Sequence, residues 1–481
     1  MTVTSTPVTY IKRLLLPIVL LASFAVGSVS CKKDKLLTSG GSLTYSLDTL
    51  SFDTVFTASG SFTTQVKLYN PQNQKVNISS IRLEGPNASF FHINVNGISG
   101  NATNIELAAK DSMYIFATVN IDPNNLSNPF VVNASVVATL NGKDYTLPLM
   151  AYGLNAYYIV DSVLQTQTWK TDKPYVVIHS AEVDTAQTLT IPAGCRIYMN
   201  ADSRLYVAGT LKINGTKKDS VIFQGDRLDR NYFGNVGYPG EWGGILFLQT
   251  STNNSIDYAV IKNCGSSTGF GYPAAIYMQP DTINDNLPQL VMTNTIVENS
   301  IGFGILGIAS TIVAQNCLIN ACGAGSLATY QGGTYLFDNC DFITYGSNKI
   351  SHIDNPTVQL IDFLQVDDVH YITSPLKAVL TNCVIWGSLD NECGVQKRGD
   401  NFDVTLLNCA IKQKDAINDA VVKNRVNTDN PRFVDDVNWN FRLQEGSPLI
   451  DAGTTDTFTP VSTDLDGKLR TGNPDIGCYE R

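Results

Sequence analysis

Apolar and polar positions alternate along most of this chain with a period of two, and from residue 258 onward a four-residue phrase of that kind keeps returning. Its copies are Tyr258-Ala259-Val260-Ile261, Asn294-Thr295-Ile296-Val297, Asn316-Cys317-Leu318-Ile319, Asn339-Cys340-Asp341-Phe342, Asn382-Cys383-Val384-Ile385 and Asn408-Cys409-Ala410-Ile411. They start 36, 22, 23, 43 and 26 residues apart, which reads as a unit of 22 or 23 residues with insertions, the 43 being two units with a degraded middle copy. The phrase is rich in β-branched residues and nothing in it has helical spacing, so the repeating unit is built of strands. A β-helix is the consequence.

In such a coil the second and fourth positions of the phrase point inward. One file would hold Ala259, Thr295, Cys317, Cys340, Cys383 and Cys409, and another Ile261, Val297, Ile319, Phe342, Ile385 and Ile411. The opening Asn suits a tight corner, because Asn tolerates left-handed backbone angles and its amide can bond to its equivalent one coil away. The third position points outward, yet it reads Val260, Ile296, Leu318, Asp341, Val384 and Ala410. A face turned to water should be polar there, so this face is expected to be covered by the long insertions or by a partner.

Residues 42–156 have a different texture, short alternating strands with polar turns and an Asn141-Gly142 hairpin signal. They predict a β-sandwich that resembles the immunoglobulin-like modules of bacterial surface proteins. Coil texture begins near residue 158, where strands such as Arg204-Leu205-Tyr206-Val207 close on a turn glycine. With Gly240-Glu241-Trp242-Gly243-Gly244-Ile245, this segment resembles the first coils of pectate-lyase-like right-handed parallel β-helix proteins. The chain's end carries Asn430-Pro431-Arg432-Phe433, Gly446-Ser447-Pro448-Leu449-Ile450-Asp451-Ala452-Gly453, Asp464-Leu465-Asp466-Gly467 and Asp475-Ile476-Gly477-Cys478-Tyr479-Glu480. These phrases resemble the closing segment of the choice-of-anchor Q β-helix family, with Cys478 where that family usually has Ala. The fold expected is all-β: an Ig-like sandwich, a right-handed parallel β-helix over 158–428, and an irregular C-terminal cap over 429–481 that blocks the open strand edges of the last coil.

The first 30 residues change the picture of where the protein works. Lys12 and Arg13 precede an apolar run from Leu14 to Val29, a secretory signal too short and Ser/Gly-rich for a membrane span. Ser28-Val29-Ser30-Cys31 resembles a bacterial lipobox, which implies cleavage before Cys31, lipid attachment there, and a flexible tether over 31–41. Such an anchor implies a membrane partner and a cell-envelope, outer-membrane location. Removing Lys12 and Arg13 with the leader takes the formal net charge from −10 to −12, which argues against nucleic acid as a partner. The ten cysteines are read as small buried hydrophobes, because stacked coils set in-register Cβ atoms about 4.8 Å apart, too far for a disulfide.

Candidate chemistry lies in three insertions. The first, 226–242, offers Arg230, Tyr232 and Tyr238 for stacking on a sugar and holding a carboxylate, with Trp242 as a packing residue or a further contact. The second, 265–287, is a long corner loop carrying Phe270, Tyr272, Tyr277 and Asp281. The third, 343–375, carries Asp367, Asp368 and His370, where paired carboxylates beside an imidazole could hold calcium or act as acid and base. No Cys/His spacing matches a zinc site, and the complete Asn-Thr-Asp, Gly-His-Gly and Arg-Ile-Lys set of polygalacturonases is absent. The preferred reading is a lipid-tethered envelope protein whose β-helix binds a glycan or an envelope protein, with a lyase or hydrolase of an acidic polysaccharide as the alternative.

Overall fold

The computed structural model describes residues 35–126, 128–228, 237–266, 272–283, 287–458 and 461–481. Period-two alternation becomes strand almost everywhere in them, and the only helical element among the described residues is a single 3-10 turn at Ala88–Phe90. Two compact units result. One takes the described residues up to Asp122 together with Val131–Tyr152, and the other takes Pro123–Phe130 and Gly153–Arg481.

The first unit is a sandwich of two five-stranded sheets. One sheet orders Thr44–Tyr45, Thr64–Tyr69, Ser112–Val119, Phe91–Val95 and Ile98–Ser99, and the other Leu50–Phe56, Lys143–Leu154, Phe130–Leu140, Val76–Glu84 and Ala102–Leu107. Alternate residues such as Val66, Leu68, Ile115, Ile78, Val136 and Leu147 are buried between them, and Phe52 meets Phe91 across the gap at 5.6 Å. Asn141 and Gly142 both have positive φ, 48° and 81°, the geometry a two-residue hairpin requires.

The second unit is a parallel β-helix with three strands per coil. In one coil Val221–Gly225 leads to Gly244–Phe247 and then to Asn254–Asp257, and each strand pairs in parallel with its counterpart one coil on. We call the sheet formed by the repeated phrase the first, and the two that follow it in each coil the second and third. The register fixes the interior. Tyr175, Ile197, Phe223, Ile261, Val297, Ile319, Phe342, Ile385 and Ile411 are successive Cα partners along the first sheet, and all are buried. On the second sheet Leu205, Ile245, Ile276, Ile305, Leu327, Val358 and Cys393 form the matching file.

The corner chemistry explains the phrase. Tyr258, Asn294, Asn316, Asn339, Asn382 and Asn408 all lie in the left-handed region at φ from 46° to 53°. The small residue after each corner then serves as a donor. Thr295 Oγ1 donates to Thr293 O at 2.8 Å, and Cys317, Cys340, Cys383 and Cys409 make the same bond to the carbonyl two residues back at 3.3–3.4 Å. Each of these carbonyls also accepts the backbone N–H of the corner residue one coil back, as Asp338 O does from Asn316 N at 3.2 Å, so the short γ donor fills its second lone pair inside an apolar interior. A second corner has the same left-handed backbone, with Asn263, Asn299 and Ala321 at φ of 61°, 58° and 51°; there Cys322 Sγ repeats the bond, to Asn320 O at 3.2 Å, whereas Ser300 Oγ donates forward to Phe303 O at 2.9 Å. All nine cysteines among the described residues are free and buried.

Two expectations are corrected. The 43-residue gap is one coil, because Phe342 pairs directly with Ile385. Its extra length is two excursions, one of 345–357 and one of 362–375, separated by the coil strand Val358–Ile361. The outward face of the phrase is covered neither by the insertions nor by a partner. Leu318, Ile343, Val384, Trp386 and Ala410 pack against Phe441, Leu443, Leu449, Leu465, Ile476, Cys478 and Tyr479. The C-terminal segment is thus a strap along the flank of the first sheet, where the sequence had suggested a plug over the last coil.

Polar contacts fasten the strap to the asparagine corners. Asn316 Nδ2 donates to Thr463 O (2.5 Å), Asn339 Nδ2 to Asp475 O (3.2 Å), Asn382 Nδ2 to Thr454 O (2.8 Å) and Asn408 Nδ2 to Ala452 O (3.0 Å). The amide ladder therefore runs only in part, as in Asn316 to Asn294 and Asn424 to Asn408. A buried Arg470–Glu480 pair at 2.9 Å locks the strap's end, and Arg470 Nη2 reaches Asn316 Oδ1 at 3.1 Å.

Candidate functional site

The three-sheet coil sorts the insertions by corner. Residues 226–243, 263–273 and 345–357 leave between the first and second sheets, whereas 279–289 and 362–375 leave between the second and third. The outer face of the second sheet thus lies between two rows of excursions. The third sequence insertion is divided by this arrangement, its halves standing on opposite sides of that face.

Cys31, Arg230 and Tyr232 lie outside the described residues. Tyr238 is exposed, but one face of its ring is occupied by Lys349 Nζ, 4.4 Å from the centroid, and that ammonium also donates to Gly237 O at 3.1 Å. Two first-corner excursions are joined by this contact. Trp242 is fully buried, donates from Nε1 to Lys262 O at 2.9 Å and stacks near Phe223, so it packs the coil.

Asp367 and His370 meet on the turn of an antiparallel hairpin, Phe363–Gln365 with Tyr371–Thr373. His370 Nδ1 stands 2.7 Å from Asp367 Oδ2, and both side chains are more than half exposed. Donation from the Val369 amide, then from the His370 ring and amide, holds the Asp367 carboxyl below the usual carboxylate range. These are the bonds of a tight turn. Asp368 is exposed and takes no part in them. The carboxylates of the Asp464-Leu465-Asp466-Gly467 phrase are also engaged: Asp464 accepts from the Lys468 and Glu480 amides, and Asp466 pairs with Arg442 at 2.6 Å. Among the described residues no group of three His, Cys, Asp or Glu is placed to share a metal ion.

The second excursion contributes more than its sequence suggested. Tyr277 belongs to the coil strand Ala274–Met278 of the second sheet and points outward from it. There it joins Tyr272, Phe303 and Tyr330 over a floor of Ala274, Leu306 and Ala328. Tyr330 lies 6.1 Å from Tyr272 and 6.2 Å, edge on, from Phe303, while its hydroxyl donates to Gln359 Oε1 at 3.3 Å. Burial raises the Tyr277 and Tyr330 phenols, with the Tyr272 ring a smaller cause. Among the described residues the Tyr272 and Tyr277 hydroxyls make no protein hydrogen bond. Phe303, Leu306, Tyr330 and Gln359 were missed at the sequence level. Outward positions of the second sheet become recognisable only after the register is known.

His352 Nε2 and Glu392 Oε2 form the most deeply buried imidazole–carboxyl contact among the described residues, at 3.0 Å with neither side chain exposed. Glu392 also accepts from the Thr357 amide and hydroxyl and from the Leu389 amide, at 2.7–3.0 Å. Four donors on one carboxylate pin the 345–357 excursion to the coil. One phrase of the polygalacturonase set, Asn427-Thr428-Asp429, does occur, but alone: it follows the last strand of the third sheet, Val421–Lys423, and Thr428 Oγ1 donates to Asn430 O at 2.9 Å.

No family model and no curated protein matches the chain. Among solved structures it is similar to a family 123 glycoside hydrolase from Clostridium perfringens, at 12% identity over 26% of each chain and a TM-score of 0.19, so the chain spans about a quarter of that hydrolase. It is similar to PapD-like domain 7 of human CEP192 at 16% identity, over 26% of this chain and 94% of that domain, with a TM-score of 0.17. The catalytic unit of a GH87 α-1,3-glucanase from Streptomyces thermodiastaticus strain HF3-3 aligns over 75% of this chain and 74% of its own, at 10% identity and a TM-score of 0.27. At these scores the likenesses carry no argument about mechanism, and the coil stands on its own register.

Proposed function

We propose that this chain is a lipid-anchored envelope protein whose β-helix binds a saccharide on the outer face of the second sheet. The observation that carries the reading is the cluster of Tyr272, Tyr277, Phe303 and Tyr330, whose rings lie on an apolar floor beside two phenol hydroxyls that have no protein partner among the described residues. Aromatic faces take the C–H surface of a sugar ring, and free hydroxyls at their rim take its polar edge. The anchor is supported by the apolar leader ending at Cys31, and membership of the choice-of-anchor Q family by the order of the closing phrases.

Affinity electrophoresis against a panel of neutral and acidic polysaccharides tests the binding. At least one polymer should retard the wild-type protein, and Tyr277→Ala with Tyr272→Ala should abolish the retardation without changing the circular dichroism. Retardation that survives the double substitution moves the site elsewhere. Reducing or unsaturated ends released from any polymer would replace this reading with a depolymerase. Labelling of the expressed protein with a radioactive fatty acid, lost in Cys31→Ser, tests the anchor.

A further inference from the structure

The last coil carries a cavity of about 480 Å³, within the ~300–1,000 Å³ of small-ligand sites. It lies apart from the aromatic cluster, and its accessible lining is charged and polar. Lys412, Lys414 and Arg425 contribute three positive charges and Asp390 and Asp429 two negative ones, while Trp386 and Ile411, only 4% and 1% exposed, form its floor.

Much of this cation capacity is not consumed by the protein. Arg425 Nη2 donates to Ile411 O at 2.9 Å and Gln413 O at 2.8 Å, which closes the strand edge of the last coil and fixes the guanidinium in place. Among the described residues its buried Nε–H has no acceptor and its Nη1 no protein bond. Lys412 Nζ spends one donor on Gly387 O at 2.7 Å, and Lys414 is held only by the exposed Asp390 at 3.5 Å. On the acceptor side, the Asp429 carboxylate and the Asn427 amide line the same cavity.

We infer that this cavity is a binding site for a sugar acid, a hydroxylated ring bearing one carboxylate. The excess of one positive charge matches a monoanion better than a dianionic phosphate. An anchored guanidinium suits a planar carboxylate, and the Asp and Asn oxygens suit the hydroxyl groups of a ring. The site is separate from the aromatic cluster on the second sheet, and each can fail without the other.

The test uses the full chain, with D-glucuronate, D-glucose and inorganic phosphate as probes, read by calorimetry and by tryptophan emission, to which Trp386 contributes. Glucuronate should bind saturably and at least tenfold more tightly than glucose or phosphate. Lys414→Gln and Asp429→Asn, both at exposed side chains, should each weaken it at least threefold, whereas Tyr277→Ala should leave it unchanged. A digalacturonate arm distinguishes the source: tighter binding than the monomer places a chain end in the cavity, equal binding a free acid, and both support the site. Glucuronate that binds no better than glucose, phosphate that competes at equal concentration, indifference to both Lys414→Gln and Asp429→Asn, or loss of binding in Tyr277→Ala would each overturn it.

Discussion

If the strap is fastened through the asparagine corners, Asn382 is the rung whose loss should be felt most. It is fully buried at φ 53°, its Nδ2 donates to Thr454 O and its Oδ1 accepts from Thr454 N, both at 2.8 Å. Asn382→Gly keeps the backbone geometry and removes both of these bonds, with a longer one of 3.4 Å from Nδ2 to Asn339 Oδ1. At about 1–1.5 kcal/mol for each, the cost is about 2–3 kcal/mol. Asn382→Ala loses the same bonds and must hold a left-handed backbone with a Cβ, which adds about 1–2 kcal/mol. Unfolding entropy near 2 cal/mol/K per residue converts the Gly cost into a fall of about 4 °C for a unit of this size. Thermal unfolding followed by far-ultraviolet circular dichroism measures the shift, and amide exchange at Thr454 and Gly477 locates it. The exposed terminal rung is the control, because Asn424→Gly removes only a bond to Asn408 and should cost under about 1 kcal/mol. An Asn382→Gly protein that melts within a degree of wild type, with unchanged exchange in the strap, would refute the claim that these corners hold it.

Two further outcomes follow from the same geometry. At Cys340, Thr should be tolerated because Thr295 fills the equivalent place with the same bond, while Val, which has no γ donor, should cost about 0.5–1.5 kcal/mol by removing one of the two donors to the Asp338 carbonyl, which keeps the Asn316 amide; urea unfolding of the two variants measures the difference. Burial, ahead of all other causes, raises the carboxyls of Asp338 and Asp341 to about 7, so the folded state holds their protons more tightly than the unfolded chain does. Their contribution is complete below about pH 4 and is lost as the pH rises from there through 7, by on the order of a few kcal/mol. Stability measured from pH 4.5 to 8 should therefore decline, and Asp341→Asn, which keeps an acceptor for the Cys478 amide, should flatten the decline; an unchanged slope in that variant would exclude Asp341 as its source.

The interior of the coil was legible in the sequence because every coil repeats the same demand. Ile261, Val297, Ile319, Phe342, Ile385 and Ile411 recur after a corner residue that tolerates positive φ, so the files could be written down before any register was known. What misled was length. A coil with excursions at two corners spans 43 residues, and counting residues cannot distinguish that from two coils; only the direct pairing of Asp341 with Val384 does. The strap was legible as a need, from an outward row of Val384, Leu318 and Ala410, but not as a location. Its Pro/Gly/Asp-rich phrases have no period, and their hydrogen bonds reach up to 154 residues back along the chain, as from Arg470 to Asn316.

The strap also narrows where this β-helix can present a binding surface. With the first sheet covered by Phe441, Leu449, Ile476 and Tyr479, its outer face is no longer available over the coils from Leu318 to Ala410. The third sheet offers outward residues such as Thr190, Lys212, Ser255 and Thr405 on straight strands joined by short turns, with few aromatic groups to grip a ligand. The second sheet differs in both respects. Excursions border it on either side, His352 and Glu392 pin one of them to the coil, and Tyr277 and Tyr330 stand on its face. Evolution of a ligand site needs rigid support under variable loops, and among the described residues of this coil only the second sheet has both. Asp367 and His370 are drawn into a turn and Trp242 into packing, whereas Tyr277 and Tyr330 are presented on the face of the second sheet by the register of its strands.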